Sequence, residues 1–228
     1  AGMSNKMLAR FAQKVMSGFP DVLPQAVWCG NPVRSSIAAL PGPQQRYAAR
    51  SGKLNVLVVG GSLGAKAINE AMPQALALLP EGARPNVLHQ TGKQHFAAVQ
   101  QLYQQAGVQA EIRPFLDDMA SNYAQADVVI CRAGALTIAE LAAAGVASIL
   151  IPFPFAVDDH QTHNARFLSE RGAAVLLPQT GLNAEKLAQL LREMNREKLL
   201  AMAQQARSLA KADAALSVAS VCGTLADL

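Results

Sequence analysis

From residue 54 onward, short apolar runs alternate with amphipathic stretches of helical length. The runs are LNVLVVG (54–60), NVLHQTG (86–92), AEIRPF (110–115), ADVVICR (126–132), ASILIPF (147–153) and AAVLLP (173–178). Rich in Val, Ile and Leu, they read as strands. They are continuous rather than alternating, as expected of strands covered on both faces. Between them, stretches 65–79, 94–106, 117–125, 135–144, 160–171 and 183–194 follow the helical period. Strand and helix in this succession predict an α/β fold, a Rossmann-like parallel sheet flanked by helices.

The first 53 residues follow another pattern. SNKMLARFAQKVMSGF (4–19) predicts one amphipathic helix closed by Gly18. AVWCGNPVRSSI (26–37) predicts a short strand and a turn at Asn31-Pro32, and the polar stretch 39–53 a loop with one helical turn. From Arg196 onward the chain predicts one or two Ala-rich helices. The helix at 4–19 has no evident apolar partner, so it is expected to dock on the sheet or to belong to a larger protein.

The chain has 228 residues, 51% hydrophobic and 16% charged, enough for one large domain or one domain plus part of another. No apolar run approaches the roughly 20 residues that span a bilayer. Cys29, Cys131 and Cys222 form no CxxC pattern, which points to free thiols and the cytoplasm. The net charge of +4 comes from scattered Lys and Arg. That pattern argues against a nucleic-acid partner and suits an anionic small ligand or a negatively charged membrane face.

Candidate chemistry gathers where strands run into helices. GGSLG (60–64) ends the first run. There Gly60, Gly61 and Ser62 either meet a phosphate or only make a tight turn. The spacing is neither GxGxxG nor GxxxxGKS. CRAGALTIAE (131–140) also has two readings. In one, Thr137 and Glu140 form a capping box. In the other, the helix starts at Gly134 or Ala135, and the N–H groups of Ala135, Leu136 and Thr137 face a ligand. Glu140 then accepts from vicinal hydroxyls, as carboxylates do for ribose. PFPFAVDDHQTHNARFL (152–168) crowds Asp158, Asp159, His160, Gln161, His163 and Asn164 at a helix start. Either Asp could cap the helix, His160 and His163 could share a metal, or the cluster could bind a polyhydroxyl ligand. Asp117 and Asp118 read as helix-start acids, with Phe115 and Leu116 placed to flank a flat base. His89, inside an apolar run, reads as a buried, satisfied imidazole.

GNPVR (30–34), LVVGGSLGAKAIN (57–69), HQTG (89–92), FLDDMASNYAQADVVICRAGALTIAE (115–140) and IPFPFAVDDHQTHNA (151–165) closely resemble the MurG family of bacterial N-acetylglucosaminyltransferases. The match runs in order along essentially the whole chain. The resemblance implies the C-terminal, donor-binding half of a two-domain GT-B glycosyltransferase. It implies that residues 1–33 are the tail of an otherwise missing N-terminal acceptor domain and 34–205 the UDP-sugar domain, with 206–228 a helix packing back on the missing domain. It gives Ser62 to a phosphate of the UDP, the helix start at Ala135, Leu136 and Thr137 to the pyrophosphate and sugar, Phe115 and Leu116 to uracil, and Glu140 to the ribose. Gln161 and His160 fall to the N-acetylglucosamine hydroxyls, Arg34 faces the donor, and Arg132 lies beside the uracil.

The implied activity is transfer of N-acetylglucosamine from UDP to the C4 hydroxyl of lipid-linked muramyl pentapeptide, with inversion. This is lipid I to lipid II, in peptidoglycan synthesis. The implied partners are UDP-N-acetylglucosamine, the lipid I acceptor through the missing domain, and a membrane surface, with no cofactor, metal or nucleic acid. The implied location is peripheral, on the cytoplasmic face of the inner membrane. The family's N-terminal Gly-rich loops and their His are not in this sequence. It is therefore expected to bind donor without transferring it, and no residue here is assigned as catalytic base. A UDP-sugar epimerase of GT-B fold and a non-catalytic nucleotide-sugar-binding module are the alternatives.

Overall fold

The computed structural model describes residues 2–61, 64–156 and 159–226. The elements are α1 (Met3–Leu8), β1 (Met16–Ser17), β2 (Val27–Trp28), α2 (Ser35–Ala38), α3 (Pro43–Ala48), β3 (Asn55–Val59), α4 (Lys66–Ala77), β4 (Asn86–Gln90), α5 (Phe96–Gln105), β5 (Glu111–Arg113), α6 (Met119–Gln125), β6 (Val128–Cys131), α7 (Ala135–Ala144), β7 (Ala147–Leu150), α8 (His160–Ser169), β8 (Ala174–Leu176), α9 (Ala184–Arg192), α10 (Arg196–Ser208) and α11 (Ala214–Leu225). Strands β3 to β8 form one parallel sheet in the order β5-β4-β3-β6-β7-β8. All six predicted strands are present, each a little shorter than its apolar run.

Alternate strand residues enter opposite layers. Val56, Val58, Val128, Ile130, Ile149 and Ile151 pack with α4, α5, α9 and α10. Leu57, Val129, Cys131 and Leu150 pack with α2, α6, α7 and α8. Because both faces are covered, the strands need no polar side and read as unbroken apolar runs. Among the described residues, no helix is long and apolar enough to cross a membrane.

The N-terminal prediction needs correction. The helix expected over 4–19 stops at Leu8, and Met16–Ser17 instead pair in parallel with Val27–Trp28. None of the residues of α1 is buried, and so short a helix gains little without packing. Gly18 does not close it. A Cβ there would lie 2.3 Å from Asn31 Oδ1, so Gly18 serves close packing against Asn31 instead. Farther on, Phe19 and Trp28 stack edge-on against Phe167 of α8, at 5.3 and 5.8 Å.

Two buried polar groups organise the interior. Asp127, fully buried at the mouth of β6, accepts from Arg50 Nη1 at 2.7 Å and from the Asn55 N–H at 2.8 Å. Arg196 Nη2 approaches at 3.5 Å. His89, also fully buried, lies 2.9 Å from the Tyr103 hydroxyl and 3.0 Å from Asn69 Oδ1, bearing out the satisfied imidazole. The Asn69 amide nitrogen donates to Thr91 O, which turns Oδ1 toward the ring. His89 therefore carries its proton on Nε2 and accepts from the phenol at Nδ1. Burial lowers its pKa to about 3.

Asp127→Ala leaves Arg50 buried without its anion, and a loss of about 3–5 kcal/mol is expected in urea unfolding. For His89 the folded pKa lies below the unfolded value of about 6.5. Its contribution is therefore complete above pH 6.5 and declines as pH falls toward 3. Between pH 7 and 5 the stability is expected to drop by about 2 kcal/mol from this group, a drop that His89→Gln abolishes. Urea titrations of both proteins at the two pH values measure it.

Candidate functional site

The strand order reverses between β3 and β6. In open parallel sheets the crevice beyond the carboxyl ends of such a pair is where ligands bind. Here both strands end in a glycine-containing turn that leads into a helix. After β3, the Gly60 N–H donates to Gln90 O at 3.2 Å and the Gly64 N–H to Gly61 O at 2.9 Å. Gly64 has φ +78°, and a Cβ there would lie 2.2 Å from Thr91 O. The turn is thus pressed onto the Thr91 carbonyl that Asn69 holds from behind. Ser62, expected to meet a phosphate, lies outside the described residues.

After β6, α7 begins at Ala135 with Gly134 as an N-cap that offers no side chain. Its first hydrogen bond is Ile138 N–H to Gly134 O at 2.9 Å. The N–H groups of Ala135, Leu136 and Thr137 therefore have no acceptor in the helix. Leu136 is 61% exposed, so this first turn fronts solvent. A cleft of about 1470 Å³ between the N-terminal segment and α8 reaches Ala135 and His160. At the other end of α7, Arg46 Nη2 donates to Ala144 O at 2.6 Å and Gly145 O at 2.5 Å, and Arg207 Nη1 to Ala143 O. The negative end of the helix dipole meets two guanidinium groups, while the positive end stays open to an anion.

The capping box does not form. Glu140 Oε2 accepts from the Tyr123 hydroxyl at 3.1 Å, and Oε1 lies 3.7 Å from Arg34 Nη2. The carboxylate is 15% exposed. Tyr123 belongs to α6, which Asp118 caps by accepting from the Ser121 N–H at 3.0 Å. Burial, and then the charge of Glu140, raise the Tyr123 pKa well above its ordinary value. Just before α6, Phe115 is 44% exposed and Leu116 packs into the layer beneath. Sequence reasoning missed Tyr123. Its signal was a phenol four residues after Met119, on the buried face of a short helix, where a hydroxyl needs a partner.

The remaining residues stitch the neighbouring loops together. Arg132 Nη1 donates to Ile151 O and Pro152 O, both at 3.1 Å, and Nη2 to Gln179 Oε1 at 2.6 Å. Its guanidinium lies 5.5 Å from the Phe153 ring centroid, and burial lowers its pKa. Gln161 Oε1 accepts from the N–H groups of Ala133 at 3.2 Å and Phe153 at 3.0 Å. The Asn164 amide donates to Ala133 O at 3.0 Å. His160 opens α8, and His163 Nδ1 lies 3.0 Å from Asp159 O. Asp159, at φ +50°, accepts from the Thr162 hydroxyl and makes no backbone cap, while Asp158 lies outside the described residues. Among the described residues, no cluster of His, Cys, Asp and Glu is placed to hold a metal.

The family model of the glycosyltransferase family 28 C-terminal domain matches residues 55–218. The UDP-N-acetylglucosamine–N-acetylmuramyl-(pentapeptide) pyrophosphoryl-undecaprenol N-acetylglucosamine transferase of Bordetella pertussis is 60% identical over 222 residues, 97% of this chain and 62% of that protein. The protein of the same name from Burkholderia thailandensis is 56% identical over 230 residues, 99% of this chain and 63% of its own length. The crystal structure of Acinetobacter baumannii MurG superposes with a TM-score of 0.86 at 42% identity, over 97% of this chain and 63% of that one. The calicheamicin glycosyltransferase CalG4, at 19% identity and a TM-score of 0.58, shares the fold. The chain thus spans less than two thirds of the length of these curated relatives.

The Gly turn makes a paired prediction. Gly61 also has positive φ, but a Cβ there meets nothing within 4 Å. Gly61→Ala is expected to cost roughly 1–2 kcal/mol, from backbone strain alone. Gly64→Ala adds a collision with Thr91 O and is expected to cost at least about 2 kcal/mol more. Urea unfolding of the two variants compares them.

Proposed function

The chain belongs to the glycosyltransferase family 28 C-terminal domain family, and from this we propose that it binds a UDP-sugar donor, UDP-N-acetylglucosamine, at the β3–β6 seam. One observation carries the reading: an uncapped helix start, α7, with a carboxylate on the same helix, at the switch point of a parallel sheet. The first is a diphosphate cradle and the second an acceptor for ribose hydroxyls.

In this reading the N–H groups of Ala135, Leu136 and Thr137 take the diphosphate together with Ser62. Glu140 takes the ribose, and Phe115 with the Leu116 backbone flanks the uracil. Gln161 and His160 meet the N-acetylglucosamine hydroxyls, and Arg34 lies at the donor's edge. We assign Arg132 to bracing the loops around the uracil, through the carbonyls it already holds.

We extend the proposal to the longer protein of which such a chain forms part. There, residues 1–33 end an acceptor domain, 34–205 hold the donor, and 206–228 return to pack on the acceptor domain. That protein transfers N-acetylglucosamine to lipid I at the cytoplasmic face of the inner membrane, as a peripheral enzyme. The acceptor C4 hydroxyl loses its proton to a base and attacks the anomeric carbon as the bond to UDP breaks, which inverts the centre. Negative charge growing on the UDP oxygen is stabilised by the open end of α7. The chain itself binds the donor without transferring it. The names of the relatives favour transfer over epimerisation.

Calorimetric titration tests the donor assignment. UDP-N-acetylglucosamine is expected to bind more tightly than UDP-N-acetylgalactosamine, and Gln161→Ala to reduce that preference about tenfold. Equal affinity for both sugars in the unsubstituted chain would overturn it.

A further inference from the structure

We propose that Tyr123 is a positioning residue: it sets the Glu140 carboxylate to receive a vicinal diol, and so lets the site distinguish a ribonucleoside diphosphate from its 2′-deoxy form. The inference rests on the reading of Glu140 as the ribose acceptor.

Tyr123 is 1% exposed, and its hydroxyl lies 3.1 Å from Glu140 Oε2. Toward a carboxylate, a neutral phenol can only donate. Arg34 is a looser partner, 62% exposed and 3.7 Å away, at a distance and exposure where an ion pair holds little. The phenol is therefore the close, buried contact and the guanidinium the distant, exposed one.

The lone pairs then count out. An ionised carboxylate has about four acceptor positions. Tyr123 takes one on Oε2, leaving another there and two on Oε1. That is enough for both hydroxyls of a diol, even with Arg34 alongside. A long glutamate side chain otherwise loses rotamer freedom when a ligand fixes it. Fixing it beforehand removes part of that cost from binding.

The placement of Tyr123 adds to the case. It lies on α6, which starts immediately after Phe115, Leu116 and Asp117 and is capped by Asp118. One short helix thus runs from the residues proposed to flank the base to the group that aims the ribose acceptor. A shift of one shifts the other.

The test compares UDP with 2′-deoxy-UDP by calorimetry on the unsubstituted chain, Tyr123→Phe and Glu140→Ala, with thermal unfolding as the control for folding. The unsubstituted chain is expected to prefer UDP by about tenfold or more. Tyr123→Phe is expected to weaken UDP binding by about fivefold to tenfold while changing 2′-deoxy-UDP binding less than about twofold. A residue that only supported the fold would weaken both ligands alike. If Glu140→Ala removes the preference and Tyr123→Phe keeps it, the positioning role falls and the ribose reading stands. If Glu140→Ala keeps the preference, the ribose reading falls and the inference falls with it. Fluorine NMR of 3-fluorotyrosine incorporated at Tyr123 gives an arm independent of the Phe variant's folding. Its signal is expected to move further with UDP than with 2′-deoxy-UDP, and equal movement overturns the proposal.

Discussion

The Asp127 carboxylate fixes where the two central strands begin. It accepts from the Asn55 N–H, while the Asp127 N–H donates to Asn55 O, both at 2.8 Å. This exchange sets the register of β3 against β6 before either strand enters the core. Because parallel strands of similar length run in step, their starts determine their ends. Gly60 and Gly61 after β3 and the helix start at 135 therefore emerge side by side at the other edge. Arg50 and Arg196 bring the 34–53 connector and α10 to the same charge. A buried carboxylate with one partner removed is costly, which makes this register hard to slip.

What is built at the carboxyl edge depends on that register and on few side chains. In the proposed reading the groups that face the diphosphate are the backbone N–H donors at the start of α7. The two arginines that bond this helix, Arg46 of α3 and Arg207 of α10, meet its far end, at the carbonyls of residues 143–145. In the proposed reading such a site holds a diphosphate through backbone donors and the helix dipole. The polar side chains nearby mostly hold the loops: Arg132 and Asn164 bond carbonyls, and Gln161 bonds two N–H groups.

The six strands and the helices between them were legible because burial on both faces leaves a plain apolar signal. The seam was legible too, since strand, small residues and helix in succession place a helix N-terminus at the sheet edge. Residues 4–19 misled because an amphipathic period reports a possible helix, not a surface for it to pack on. The choice between a capping box and an open helix start at 131–140 could not be made locally. It turns on where α7 starts: with Gly134 as N-cap, Thr137 lies inside the first turn, and Glu140 is left to meet Tyr123, seventeen residues earlier in the chain and on another helix. Long-range partners such as Tyr103 and Asn69 for His89 are hidden from sequence for the same reason.

Gln161 carries a consequence of its own. Its carbonyl oxygen is claimed by Ala133 and Phe153, so the orientation of the amide is not free to flip. Only the NH2 end is left to face a visitor. A residue that could in principle read a hydroxyl from either side is thereby made one-handed: it recognises lone pairs and is blind to protons. In the proposed reading, a sugar oxygen that meets it must send its own hydrogen elsewhere, and that requirement reaches one bond further into the ligand than the side chain itself can touch.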